Sequence, residues 1–405
     1  MTADFWRLWT AATVSSLGDG LRLAAVPLLA ARLTQDPRMV ALVAAAGGAA
    51  WLLFGLPAGA LADRWDRRRI MVGCDAIRCV LAVALVASVA TGHASIAVLM
   101  AVEFLLNATE TLFYGAAEAA IPAVVGGPDL ERANGRLQAS TILGAGFVGP
   151  PVGAAVFVLA AAAPFAADAV SFGLASLLAR GIRADLSPAG AARSVRRPLL
   201  REVADGLGWL WRHAELRTIM VLLVVWNLVE SAVFAVMVLW SLRTLQLPEA
   251  GYGLLFAALA VGGVAGSLLA ERAGRVLGPG RAMTASVVAT VAVYAGLGLT
   301  RRPLLAGALM TGLGVAAFVW NVISASFRQA VVPEGLRGRV SSAYRFATWG
   351  VAALGALLGG AVASRWGLQA PFGVAAVALA ATAVVTLPRL TNLRLTAARA
   401  AASGG

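Results

Sequence analysis

The chain has 405 residues, of which 60% are hydrophobic and 13% charged, with a mean hydropathy of +0.82, which excludes an ordinary water-soluble domain. Every basic residue is arginine, and without lysine a phosphate loop of the Gly-x-x-x-x-Gly-Lys-Ser/Thr form is excluded, so ATP is not the expected energy source. The formal net charge of +13 sits in short gaps between apolar runs, a placement that fits the faces of a bilayer and not nucleic acid.

A hydrocarbon layer of about 30 Å takes roughly 20 residues of helix. In chain order, segments of that kind fall at 5–31, 38–61, 70–91, 94–118, 136–160, 163–181, 214–242, 250–270, 281–300, 303–327, 340–363 and 370–388. They predict an all-α membrane protein of twelve transmembrane helices. With both termini cytoplasmic, 25 of the 33 arginines lie in inward segments and six in outward gaps, and Arg22 and Arg78 lie within crossings. Such a bias sets orientation. Arg183 to His213 is the longest polar interval and reads as a linker. Its second part sets Leu199, Leu200, Val203, Leu207, Leu210 and Trp211 opposite Arg201, Asp205 and Arg212, as in a helix lying in the interface. The expected organisation is a six-helix bundle over 1–182, a linker over 183–213, a second six-helix bundle over 214–390 and a cytoplasmic tail over 391–405.

Weak internal matches support a duplication. Pro128 and Arg132 fall on Pro333 and Arg337 at an offset of 205 (333 − 128 and 337 − 132), and Asp63-Arg64 on Glu271-Arg272 at 208 (271 − 63). On the second offset Asp19 falls on Asn227 and Arg22 on Glu230. Two bundles related by a parallel repeat imply a working site between them near the midplane.

Ionised groups inside a bilayer need a partner, a wet cavity or a function. Asp19 and Arg22 lie one turn apart in the first crossing, either as a packing ion pair or as a substrate- or proton-binding group tuned by its neighbour. In the fourth crossing Glu103, Asn107 and Glu110 form one polar stripe on an apolar helix, on which one carboxyl could take up and release a proton. Asn227 and Glu230, flanked by Trp226, form the matching spot in the second half, and Trp320-Asn321 lies near mid-depth of the tenth crossing. Aromatic groups beside acids suit amphipathic, often cationic, molecules, although each tryptophan alone is better read as a core or interface residue. Cys74 and Cys79 share one apolar segment, and His93 and His213 lack an acidic cluster, so no disulfide, metal site, cofactor or enzymatic centre is expected.

The turn between crossings two and three, Gly59-Ala-Leu-Ala-Asp63-Arg64-Trp-Asp66-Arg67-Arg68-Arg69, resembles the loop signature Gly-x-Leu-Ala-Asp-Arg-x-Gly-Arg-Arg of the major facilitator superfamily. Asp66 stands where that pattern usually has glycine, which is similar to the drug:proton antiporter branch that includes macrolide and siderophore exporters. Gly149-Pro150-x-x-Gly153 resembles that branch's helix-five antiporter motif, Asp168-Ala-Val-Ser171-Phe172 its sixth-crossing motif, and Pro333 to Val340 a loop pattern before crossing eleven. The resemblance implies a conformational latch of Gly59, Asp63, Arg64, Arg67 and Glu118, with Glu118 pairing to Arg67. It implies a monomeric multi-pass protein of the bacterial inner membrane that exports small amphipathic molecules in exchange for protons by alternating access. A dedicated siderophore exporter and a proton-independent lipid or metabolite facilitator share the same fold. A membrane receptor or scaffold with a frozen transporter fold is a further reading.

Overall fold

The computed structural model describes residues 1–62, 64–126, 129–187, 207–333 and 336–390. Most of the expected linker, the tail 391–405, Asp63 and Pro128 lie outside them. The described chain is helical because a backbone in lipid must satisfy its own N–H and C=O groups. Local signals set the ends. Thr2 caps α1 (Ala3–Leu33) by accepting from Phe5 N at 3.1 Å, and Ser95 caps α4 (Ile96–Val124). Between them lie α2 (Pro37–Ala62) and α3 (Arg67–Ala90). The fifth crossing comes in pieces, α5 (Leu130–Thr141), a wider π turn over Ile142–Val148, and α6 (Gly149–Leu159), followed by α7 (Ala163–Arg180).

The π turn has a local cause. Pro150 and Pro151 carry no N–H for the carbonyls four residues back, and Gly149 N donates five residues back to Gly144 O.

The second half contains α8 (Ala214–Arg243), α9 (Glu249–Val276), α10 (Pro279–Leu299) and α11 (Pro303–Val331). After them come α12 (Arg337–Trp349), α13 (Ala352–Trp366) and α14 (Ala370–Thr386). Together α12 and α13 make the eleventh crossing, interrupted at Gly350-Val351.

By length and hydropathy, eleven crossings are evident among the described residues. The twelfth, α7, is 18 residues long and carries Asp168 and Arg180, which depress its hydropathy. It packs against α1 and α3, where Asp168 is buried away from lipid. Leucines at crossing ends, such as Leu159, Leu299 and Leu304, are more than four-fifths exposed, as expected of a lipid-facing belt.

The helices group into two compact units. One is α1 to α7, and Leu247–Phe256, the first turns of α9, group with it. There Arg32 holds Glu249 in a bidentate pair at 2.6 and 2.5 Å and lies 4.4 Å over the Phe157 ring. The expected boundary had left all of α9 in the second half. The other unit is α8, the rest of α9, and α10 to α14.

The same contact occurs in each unit. A Cβ on Gly149 would collide with Gly20 Cα, and one on Gly153 would meet Leu21 Cα at 2.7 Å, so α6 meets α1 main chain to main chain. In the second unit, Gly355 and Gly359 of α13 press equally close to Leu228 O and Ala232 O of α8. The offset is 206 in both cases (355 − 149 and 359 − 153), alongside the 205 and 208 of the sequence matches.

Candidate functional site: a buried carboxyl and arginine cluster

The stretch of α1 pressed against the fifth crossing carries Asp19 and Arg22 on either side of Gly20 and Leu21. On another flank, a Cβ on Gly18 would collide with Asp168 Oδ1 and Ser171 Oγ of α7. Bare backbone on two sides lets α1 lie deep in its unit and brings its charges to those of α3, α4 and α7.

Arg22 is at the centre. Its Nη1 donates to both Glu103 oxygens at 2.7 and 2.8 Å, and its Nη2 to Asp19 Oδ1 at 3.2 Å and Glu110 Oε2 at 3.1 Å. Its Nε faces Asp168 Oδ2 at 3.6 Å. Asn107 donates to Glu103 O at 2.8 Å and Glu103 Oε2 at 3.2 Å, so the predicted stripe on α4 is one connected polar face.

Arg78 forms a second, sealed centre. It is 0% exposed, with its guanidinium 4.0 Å over the Phe172 ring. It donates to Ser15 Oγ at 2.9 Å, to Asp75 Oδ1 at 3.2 Å and to Asp19 Oδ1. Asp19 therefore bridges the two arginines. Five carboxyls, those of Asp19, Asp75, Glu103, Glu110 and Asp168, meet two guanidinium groups, an excess of three potential negative charges in a buried place.

Asp19 pairs with Arg22 and the Glu103, Asn107 and Glu110 stripe lies on one face as their spacing suggests, and the structure brings the two groups together, so that Arg22 serves four carboxyls and not Asp19 alone. Asp75 and Arg78, one turn apart in α3, belong to this cluster. Asp168 and Ser15 were not singled out as site residues. A lone acid a third of the way along an 18-residue crossing was the signal for the first, and an arginine with only one acid nearby in its own segment was a signal that Arg78 finds partners elsewhere.

The second unit is simpler. Trp226 of α8 and Trp320 of α11 are buried with ring centroids 5.9 Å apart, Asn227 donates to Leu223 O at 2.9 Å, and Glu230 has no cationic partner among the described residues. Asn321 is exposed.

Of the latch residues, Gly59 lies in α2 and Asp63 outside the described residues. Arg64 is exposed, and Glu118 is exposed on α4. Arg67 N donates to Leu186 O at 3.4 Å and the Arg68 guanidinium to Ala184 O, so the turn holds the segment after α7. Asp66 has a plain local role. It is the N-cap of α3, accepting from Arg68 N at 2.8 Å and Arg69 N at 3.4 Å with φ −58°, so this place does not require glycine. In the helix-five motif, Gly149, Pro150 and Gly153 are all buried, two in the α1 seam and Pro150 beside the π turn.

Known proteins agree with this architecture. A family model described as transmembrane secretion effector matches residues 2–403. The multidrug efflux pump Tap of Mycobacterium tuberculosis H37Rv is 30% identical over 405 residues, covering 95% of this chain and 93% of that protein. Tap of Mycolicibacterium fortuitum is 27% identical over 401 residues, covering 95% and 96%. Among solved structures, a variant of the nucleoside transporter NupG has a TM-score of 0.77 at 14% identity, covering 96% of this chain and 100% of that one. A bacterial homologue of the iron transporter ferroportin has 0.72 at 16%, with the same coverage. The chain belongs to the transmembrane secretion effector family of the major facilitator superfamily, as a multi-pass membrane transporter and not an enzyme.

Proposed function

We propose that this transporter exports small amphipathic molecules, drugs or natural products, across the bacterial inner membrane in exchange for protons. The observation that carries the reading is the convergence of Glu103, Glu110 and Asp168 on the single guanidinium of Arg22. Excess negative charge in a low-dielectric place is relieved by a proton or by a cationic guest, and the two compete for the same carboxyls. Export follows if the site opens to each side of the membrane in turn and the proton arrives from outside. Such coupling requires different affinities in the two states. Tap supports efflux as the direction and drugs as the substrate class, since a multidrug efflux pump shares 30% identity over nearly the whole chain. Trp226 and Trp320, side by side in the second unit, are flat apolar groups of the kind that suits such guests.

The latch remains part of this reading. Gly59, Asp63, Arg64, Arg67 and Glu118 would hold one conformation, with the protein working as a monomer, both termini on the cytoplasmic side and the bundles divided near residues 183–213.

The test is dye export and proton movement measured together in proteoliposomes. Export should need an inward proton gradient and fall at least about tenfold in Glu103→Gln/Glu110→Gln, as expected when a titrating group is essential. Export indifferent to the gradient and to both substitutions would leave a proton-independent facilitator and remove the antiport claim.

A further inference from the structure

Of the buried polar atoms in the cluster without a hydrogen-bond partner, Asp19 Oδ2, Asp75 Oδ2, Arg78 Nε, Arg22 Nε and Asp168 Oδ2, the last two nearly meet. Four contacts occupy both Nη groups of Arg22, and its Nε has no hydrogen-bond acceptor. Asp168 Oδ2 has no donor. These two atoms face each other at 3.6 Å, outside hydrogen-bond range yet inside ion-pair range. Asp168 itself is 0% exposed, and the missing Cβ of Gly18 leaves the space its carboxyl fills. A buried donor and a buried acceptor that almost meet are a costly arrangement unless they close in another state.

We propose that Asp168 is the alternative ion-pair partner of Arg22, which moves from the Glu103 and Glu110 carboxyls of α4 to the Asp168 carboxyl of α7 when the α4 stripe is neutralised. Asp19 stays where it is, because Arg78, fully buried and in contact with Phe172, Ser15 and Asp75, also holds it. The charged groups facing Arg22 are thus Asp19 of α1, Glu103 and Glu110 of α4 and Asp168 of α7, with Asp75 and Arg78 of α3 beyond Asp19. The fifth crossing meets this part of α1 through glycine backbone. Neutralising α4, by proton or by cation, removes the charge of two of the four carboxylates around Arg22 and leaves Asp168 as the one anionic partner not shared with Arg78. Arg22 then ties α1 to α7 in place of α1 to α4, so occupancy of the stripe becomes a change in helix contacts. The place of this exchange in transport rests on the antiport reading, but its existence does not.

A thermal-stability double-mutant cycle on the full-length purified protein separates the two. Asp168→Asn should lower the melting temperature slightly in the wild-type background and at least about twice as much in Glu103→Gln/Glu110→Gln, where Arg22 depends on Asp168. Asp75→Asn, which touches Arg78 and not Arg22, should lower it equally in both backgrounds. Asp168→Ser, small and polar, repeats the cycle if Asp168→Asn does not accumulate. Additive shifts for Asp168 overturn the exchange whatever the transport assays show. Failure of both Asp168 variants to accumulate in the wild-type background also overturns it, because the carboxylate would then be a fixed structural partner. A coupled cycle with proton-independent export keeps the exchange and removes antiport.

Discussion

Gly149→Ala tests whether the main-chain seam between α1 and α6 positions the charged cluster. The added methyl would lie 2.6 Å from Gly144 O and closer still to Gly20 Cα, whereas ordinary contacts begin near 3.4 Å. Both obstacles are backbone, with no side chain to swing aside, so the helices must part by roughly 1 Å at the seam, an overpacking expected to cost about 1–3 kcal/mol. Gly20 lies between Asp19 and Arg22, so the same displacement disturbs the 2.7 Å and 3.1 Å contacts of Arg22 with Glu103 and Glu110 of α4. Gly146, three residues away in the π turn, has nothing within 4 Å of its Cβ position and is the internal control. Purified Gly149→Ala should melt several degrees below wild type and export a fluorescent dye poorly, and Gly146→Ala should match wild type in both. Equal melting and equal export for the two variants would refute the seam as the support of the site.

Other outcomes follow from the same geometry. Arg78→Gln leaves the buried Asp19 and Asp75 carboxyls short of a cation, which should destabilise the protein by about 3–5 kcal/mol, read as lost accumulation and a lowered unfolding midpoint. Replacing Asp66 with Ala should cost about 1 kcal/mol through loss of the α3 cap, while Asp66→Gly should cost only a few tenths, measured by thermal unfolding. Trp226→Ala opens the contact with Trp320, and export of flat aromatic cations should fall more than export of small aliphatic ones in paired efflux assays.

The crossings were legible because lipid enforces one long apolar run per helix, and the arginine bias gave an expected orientation without any tertiary information. What sequence could not give was the sharing of charges between helices. Asp19 and Arg22 looked self-sufficient because they are one turn apart, and only the packing of α3, α4 and α7 shows that each has further partners. Asp168 was hidden inside a familiar motif and in a crossing whose hydropathy it lowers. Asp66 looked like a departure from a loop pattern, and its cap bonds to Arg68 N and Arg69 N explain it as local helix chemistry. The glycines of α6 and α13 could be read as small residues but not assigned to the helices they meet.

A seam built from main chain alone has few rotamers to reset when one helix slides along the other, so such motion meets little side-chain friction. Where α1 lies on α6 in the first unit, resistance to sliding would come chiefly from the ion pairs a turn away. Where α8 lies on α13, the neighbouring Glu230 has no cationic partner among the described residues. On the antiport reading, charge neutralisation would free the first seam, and its structural twin, carrying the same smooth track, shows no equivalent brake among the described residues.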